Sequence, residues 1–377
     1  MRSRFLEAVR SRRASFEEAA VPAEEARTLP ADMVKLMRDL RLFWLKTPRE
    51  LGGDELDPLE FCEVLEQLAY YDASVAWAAM VGNGTTGTVA GWLPDEGLRE
   101  VFPGTGTDLP ICAGQFSSRG RAVPVDGGHV VSGRWGFGSG INHADWVVGG
   151  CVVEGGAGAE ILAVVPKGEA TLHDTWHVAG LQGTGSYDFS MTEVFVPAGR
   201  VIEGLGTPGL RGGDLFRPPP LMFVSNELSP VAVGIARRAI DDMYDLARAA
   251  TRRTGGVPVG ERAAFQKDMG RAEARLRAVQ VLYRDAVARV WDAARTESGL
   301  DDALVARTFA QHTYVVEECT DLVSRIFRYG GGRVLALSHP MQRHLRNLSA
   351  AMQHIYITDE NYELAGKAGL DSRPSSP

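Results

Sequence analysis

The hydrophobic pattern of this 377-residue chain changes period twice, and that double switch constrains the fold more than any single motif. From Arg4 to about Leu98 the apolar residues recur at helical spacing. Met33, Leu36, Met37 and Leu40 share one face after Pro30. Phe61, Val64, Leu65 and Leu68 share another after Asp57-Pro58, a cap followed by proline that opens a helix. From about Leu109 to Arg200 the runs are short and β-branched: His129–Ser132 after the Gly127-Gly128 hairpin signal, Asp145–Val153, Ile161–Pro166 and Phe189–Pro197. A Gly- and Pro-rich connector, 204–220, returns the chain to helical spacing until about Leu364, with Arg271–Thr296 free of Gly and Pro. Helices, then strands, then helices make an α+β chain by segregation of elements. The intervals between strands are too short for crossover helices, so an antiparallel barrel or sandwich is expected. The expected domains are an N-terminal helical domain (1–108), a central β-domain (109–216), a C-terminal helical bundle (217–366) and a flexible tail (367–377).

Composition narrows the partners. A formal net charge of −8 disfavours nucleic acid, which calls for a basic patch. Cys62, Cys112, Cys151 and Cys319 lie far apart without a CxxC pair, so they read as buried thiols of a reducing cytoplasm. The first twenty residues contain no apolar run with a cleavage site, and no stretch reaches the ~20 apolar residues of a membrane span. No membrane partner is expected. No metal is expected either, since His173 and His177 are spaced for a helix but fall among strands. The glycines of 180–185 join strands instead of opening a helix, which reads as a turn and not a phosphate cradle.

Five segments in order resemble the acyl-CoA dehydrogenase superfamily across nearly the whole chain. Leu42 to Gly53 is similar to its G-L-F-x-x-x-x-P-x-x-x-G-G loop, and Gly133 to Asp145 to its G-x-K-x-W-I-T-N-x-x-x-A-D strand. Trp176 to Ser186, closing at Val194–Pro197, resembles W-x-x-x-G-x-R-G-T-x-S … V-x-V-P. Arg252 to Pro258 with Gln266, and Gly331-Gly332 to Pro340, Arg343 and Arg346, resemble its two C-terminal motifs. The resemblance implies that superfamily's fold, with a flavin held between the β-domain and the bundle of a homotetramer. It places Phe137 against the flavin ring and Ser139 at the N5 edge, where a hydroxyl helps set which flavin state is stabilised. It assigns Arg252 to a flavin phosphate, as an anion partner, and Gln266, Gly331 and Gly332 to the cofactor site.

The departures from that pattern point to a branch. A thioester dehydrogenase needs a carboxylate to take the α-proton, commonly nine residues past the arginine of an R-D pair. Here Arg346-Asn347 leads to His354 and Tyr356 with no glutamate at that place. Ile111 to Ala122 replaces the T-E-P-x-A-G-S-D loop, and Gly133 to Trp146 is closer to the superfamily's hydroxylases. The chain therefore resembles the oxygenase component of two-component flavin-dependent monooxygenases acting on aromatic, polyketide or similar metabolites. Such enzymes take FMNH2 or FADH2 from a separate NAD(P)H:flavin reductase and use O2 through a C4a-hydroperoxide. No Gly-x-Gly-x-x-Gly run opens a helix here, in keeping with a separate reductase. By the same resemblance His354 takes the substrate's proton or hydrogen-bonds the peroxide, tasks suited to a group titrating near pH 6.5. Two other readings stand beside this one. One is a thioester dehydrogenase with its base moved to Glu360 or Glu363; the other is a flavin-free assembly protein of the same fold.

Overall fold

A computed structural model describes residues 3–104, 108–204, 206–225, 227–249, 257–296 and 299–372. Among the described residues seven α-helices come first: α1 (Arg4–Ser11), α2 (Arg13–Glu18), α3 (Ala20–Ala26), α4 (Ala31–Asp39), α5 (Pro58–Tyr71), α6 (Ala73–Trp92) and α7 (Asp95–Val101). Strands β1 (Cys112–Val125), β2 (Gly128–Gly138), β3 (Trp146–Val153), β4 (Glu160–Pro166), β5 (Thr171–His173), β6 (Tyr187–Pro197) and β7 (Val201–Ile202) follow. Helices α8 (Pro220–Ser225), α9 (Leu228–Ala249), α10 (Ala263–Ala294), α11 (Asp302–Phe327), α12 (Pro340–Ala351) and α13 (Glu360–Asp371) complete the chain. It divides into two compact units, one of residues 1–61, 77–178 and 182–224, the other of residues 62–76, 179–181 and 225–377. Among the described residues no helix is long and apolar enough to cross a membrane. All four cysteines are buried with free thiols.

Local chemistry starts three of the helices, α5 where the sequence reading places it. Asp57 accepts the Leu59 N–H at 2.9 Å with Pro58 in the first turn of α5. Asp301 caps α11 through the Leu304 N–H, and the His339 Nδ1 caps α12 ahead of Pro340. Phe61, Val64, Leu65 and Leu68 of α5 are buried, the face expected from their spacing; of the other expected face Met33 and Met37 are buried, and Leu36 and Leu40 are half-buried.

In the first unit the strands form one open sheet ordered β5-β6-β2-β1-β3-β4-β7. β1 and β2 join through the two-residue turn Asp126-Gly127, with Val125 opposite Gly128. The expected all-antiparallel pairing is corrected at one place, because β1 and β3 run parallel. From β1 to β4 each strand does reverse the one before it. The seven residues 139–145, however, carry the chain across the start of β1, where Asp145 and Trp146 donate their N–H groups to the Ile111 carbonyl. β3 then pairs with the free edge of β1 instead of with β2. No helical crossover is needed, since β3 still reverses β2, and the sheet remains unclosed because β5 and β7 each have a single neighbour.

The core of this sheet is built around Trp135. Its ring stacks on Phe189 at 5.1 Å, and its indole N–H donates to the Gly150 carbonyl at 2.8 Å. Gly120, Gly133 and Gly149 make room for it: a Cβ at any of them would stand within 3 Å of the ring. The second unit is a bundle of α9 to α13 with most of α5 and the start of α6. There Gly234 of α9 lies so close to α5 that a Cβ would stand 2.3 Å from the Glu66 carbonyl oxygen. Glu66 in turn accepts hydrogen bonds from Gln280 and Tyr283 of α10 at 2.6 and 2.5 Å.

Candidate active site

The predicted site residues fall into three groups. The first is at the end of β2. Between the pairs Trp135–Phe189 and Gly138–Tyr187, β2 carries two residues where β6 carries one, a bulge that re-aims the chain. Phe137 sits in that bulge at φ +63°, a conformation a bulky side chain adopts only when its surroundings impose it. Its ring is 66% exposed, with the edge of Trp176 at 6.1 Å. Two residues on, Ser139 is buried, and its hydroxyl meets two partners. The Trp77 indole N–H donates to it at 3.3 Å, and the Ser186 hydroxyl lies 2.6 Å away. Thr184 continues the row, its Oγ1 2.7 Å from Ser186. A buried hydroxyl beside an exposed, strained aromatic ring fits the edge of a planar, polar-rimmed ligand such as a flavin ring.

The sequence reading picks out Phe137 and Ser139 and misses Trp77, Thr184 and Ser186. Thr184 and Ser186 fall within the G-T-x-S motif, whose glycines read as a turn and draw attention away from its hydroxyls. No local signal marks Trp77, which lies in the apolar helix α6.

The second group surrounds His354, in the turn between α12 and α13. The Tyr356 N–H donates to the His354 Nδ1 at 3.3 Å, and the two rings lie 5.0 Å apart. Phe309 of α11 meets Tyr356 at 6.0 Å. Asn361 holds the turn, donating to the Tyr356 carbonyl and to the Thr313 hydroxyl at 2.8 and 2.9 Å. Burial lowers the His354 pKa to about 4. Burial and the Glu227 charge together raise that of Tyr356 to about 12. With Nδ1 accepting from the backbone, the neutral ring carries its proton on Nε2. That arrangement suits hydrogen-bond donation from the ring as well as the proton-accepting task. Glu360 and Glu363, the relocated-base candidates, are exposed on α13.

The third group lies at one end of α10. Gln266, Tyr244, Arg248, Phe265 and Met269 line a cleft of about 310 Å³. The Gln266 amide donates to the Gly260 carbonyl at 3.0 Å. Phe265 packs edge-on against Tyr329, 5.2 Å away, which brings the Gly331-Gly332 turn to the same end of the bundle. Gly331, at φ 60° and ψ −155°, occupies a region reserved for glycine. Arg252 lies outside the described residues.

Two other features have structural roles. Asn347, which stands where the superfamily's motif has aspartate, accepts the Leu181 N–H through its Oδ1 at 2.7 Å. The amide thus keeps the acceptor that the loop needs. His173 bonds Ser190 across β5 and β6, while His177 joins Arg27 and Asp174 in an exposed cluster.

Residues 4–101 match the family model "Acyl-CoA dehydrogenase, N-terminal domain", and residues 227–359 match "Acyl-CoA dehydrogenase, C-terminal domain". The chain belongs to the acyl-CoA dehydrogenase superfamily. Among its relatives, indole-3-acetate monooxygenase of Pseudomonas putida is 27% identical over 93% of this chain and 90% of its own length. The oxygenase component of the FADH2-dependent resorcinol hydroxylase of Rhizobium sp. is 29% identical over 93% of this chain and 89% of its own. The structure of XiaF from Streptomyces sp., solved with FADH2 and glycerol, matches with a TM-score of 0.90 and 26% identity, over 100% of this chain and 97% of that one.

Proposed function

We propose that the chain is the oxygenase component of a two-component flavin-dependent monooxygenase that hydroxylates an electron-rich aromatic or similar ring. The observation that carries this reading is the His354–Tyr356 pair, which stands at the stretch of sequence where a thioester dehydrogenase keeps its carboxylate. Relatives named as monooxygenases and hydroxylases, matched over about nine-tenths of both chains, support it. Bound reduced flavin, FMNH2 or FADH2, would supply with O2 the oxygen atom that is transferred and the electrons that reduce the other oxygen to water. Phe137 would lie along the flavin ring, and the Ser139 hydroxyl would meet its N5 edge. Gln266, Arg252 and the Gly331-Gly332 backbone would hold the rest of the cofactor. His354 would donate its Nε2–H to the oxygen in transit or to the substrate's own hydroxyl, orienting the two for attack.

The test is isotopic. Supplied with a flavin reductase, NAD(P)H and a panel of phenols and indoles, the protein should form a product carrying one atom from 18O2. Turnover of an acyl-CoA with an artificial electron acceptor, and no labelled product from the panel, would overturn the reading.

The same reading implies a homotetramer. Large apolar side chains left exposed in the second unit, Leu335, Leu337 and Leu370 among them, support burial against other copies. Light scattering should give a mass near four chains, and a monomer that binds reduced flavin would contradict it.

A further inference from the structure

Ser139 has one proton and two lone pairs to give, and the structure commits most of them. An indole N–H only donates, so the Trp77 contact uses one lone pair. The Ser186 contact, at 2.6 Å, uses either the Ser139 proton or its second lone pair. What Ser139 has left for a ligand therefore depends on Ser186. If Ser139 donates to Ser186, a lone pair remains and Ser139 is an acceptor. If Ser186 donates to Ser139, both lone pairs are used and Ser139 is a donor. Thr184, 2.7 Å beyond, gives Ser186 a partner in either direction. All three residues are buried, and a ligand seated against Ser139 would cover what is left of it.

We propose that Ser186, assisted by Thr184, is a positioning residue that turns the Ser139 hydroxyl so that it offers a lone pair to reduced flavin and a proton to oxidised flavin. The proposal rests on the reading of Ser139 as the N5 contact. Reduced flavin carries hydrogen on N5 and needs an acceptor there, whereas oxidised flavin presents a lone pair and needs a donor. A serine without Ser186 can still donate to oxidised flavin. It meets reduced flavin only by leaving its own O–H unpaired in a buried site, and the space vacated by one hydroxyl is too small for a water molecule. The row of hydroxyls would thus let one residue serve both states, with its benefit falling on the reduced one.

Equilibrium titration of the full-length protein with reduced flavin under anaerobic conditions, and with oxidised flavin, reads this without turnover. Ser186→Ala should raise the Kd for reduced flavin by about 5- to 150-fold relative to that for oxidised flavin, the effect of one unpaired buried donor. Ser186→Thr, which keeps the hydroxyl, should restore the wild-type ratio. In a Ser139→Ala background, Ser186→Ala should leave the ratio unchanged, because the residue it orients is gone. Equal weakening of both states, or an unchanged ratio in Ser186→Ala, would overturn the proposal while leaving the flavin site in place. A wild-type protein that binds neither state would overturn the site and the proposal together. Ser186→Cys supplies a second variant of similar size. Its weaker hydrogen bonding should give an intermediate ratio, and a ratio equal to that of the wild type would count against the proposal.

Discussion

His354→Ala is expected to lower hydroxylation by about 10²–10⁴-fold, the contribution of a well-placed proton-handling group, and to leave reduced-flavin binding within a few-fold. The geometry also predicts which replacement rescues. Because Nδ1 accepts the Tyr356 N–H and burial lowers the pKa to about 4, a ring that is neutral at pH 7 would have Nε2–H to offer in the proposed role. His354→Gln keeps a side-chain donor and should recover part of the rate, whereas His354→Phe should not. A histidine with a lowered pKa stays neutral until the pH falls through the folded value. The hydroxylation rate should therefore be flat with pH from about 8 down to about 5, and should fall only toward pH 4. Neighbouring Tyr356, raised to about 12, adds no limb in that range. A limb near pH 6.5 that disappears in His354→Ala would restore the base reading. Normal hydroxylation by His354→Ala would remove His354 from the reaction altogether.

Trp135→Ala should cost about 3–5 kcal/mol in denaturant unfolding, the range for truncating a large buried aromatic. That is a large share of the roughly 5–15 kcal/mol by which domains are stable. The ring fills a pocket bounded by three glycines and Phe189, so little can collapse into the space it leaves. Gly120→Ala attacks the same contact from the other side. Its Cβ would stand 2.3 Å from the Trp135 ring and 2.7 Å from the Cys151 sulfur, neither of which is free to swing away. A Trp135→Ala protein with an unchanged unfolding midpoint would show that the sheet is held together elsewhere.

Elements governed by local chemistry are legible in the sequence. The Asp57-Pro58 cap, the buried face of α5 and the Gly127 hairpin each depend on residues within one turn of one another. The parallel pairing of β1 with β3 is not legible. It depends on the path of residues 139–145 over Ile111, and hydrophobic runs alone do not say which edge a strand will choose. The glycines at 120, 133 and 149 read as punctuation between strands, yet their work is to admit one tryptophan from across the sheet. Counting along the Gly133–Asp145 motif is enough to pick out Ser139, but its partners are beyond reach of a linear reading. Trp77 and Ser186 lie 62 and 47 residues away in the chain. Asn347 shows the converse. In sequence it is a lost aspartate of a flavin motif; in the fold it serves as a structural acceptor for Leu181. The lowered pKa of His354 likewise comes from burial, which its sequence neighbours do not disclose.

Rapid mixing shows whether this protein directs reduced flavin toward oxygen transfer. An anaerobic complex of the protein with reduced flavin, mixed with oxygenated buffer in a stopped-flow spectrophotometer, should pass through an oxygen-dependent absorbance distinct from both reduced and oxidised flavin. That transient should outlast the one seen with free flavin, and it should decay to hydroxylated product when an accepted aromatic substrate is present. Direct conversion of reduced to oxidised flavin at the rate of free flavin, with hydrogen peroxide as the sole oxygen product whichever substrate is offered, would contradict such transfer.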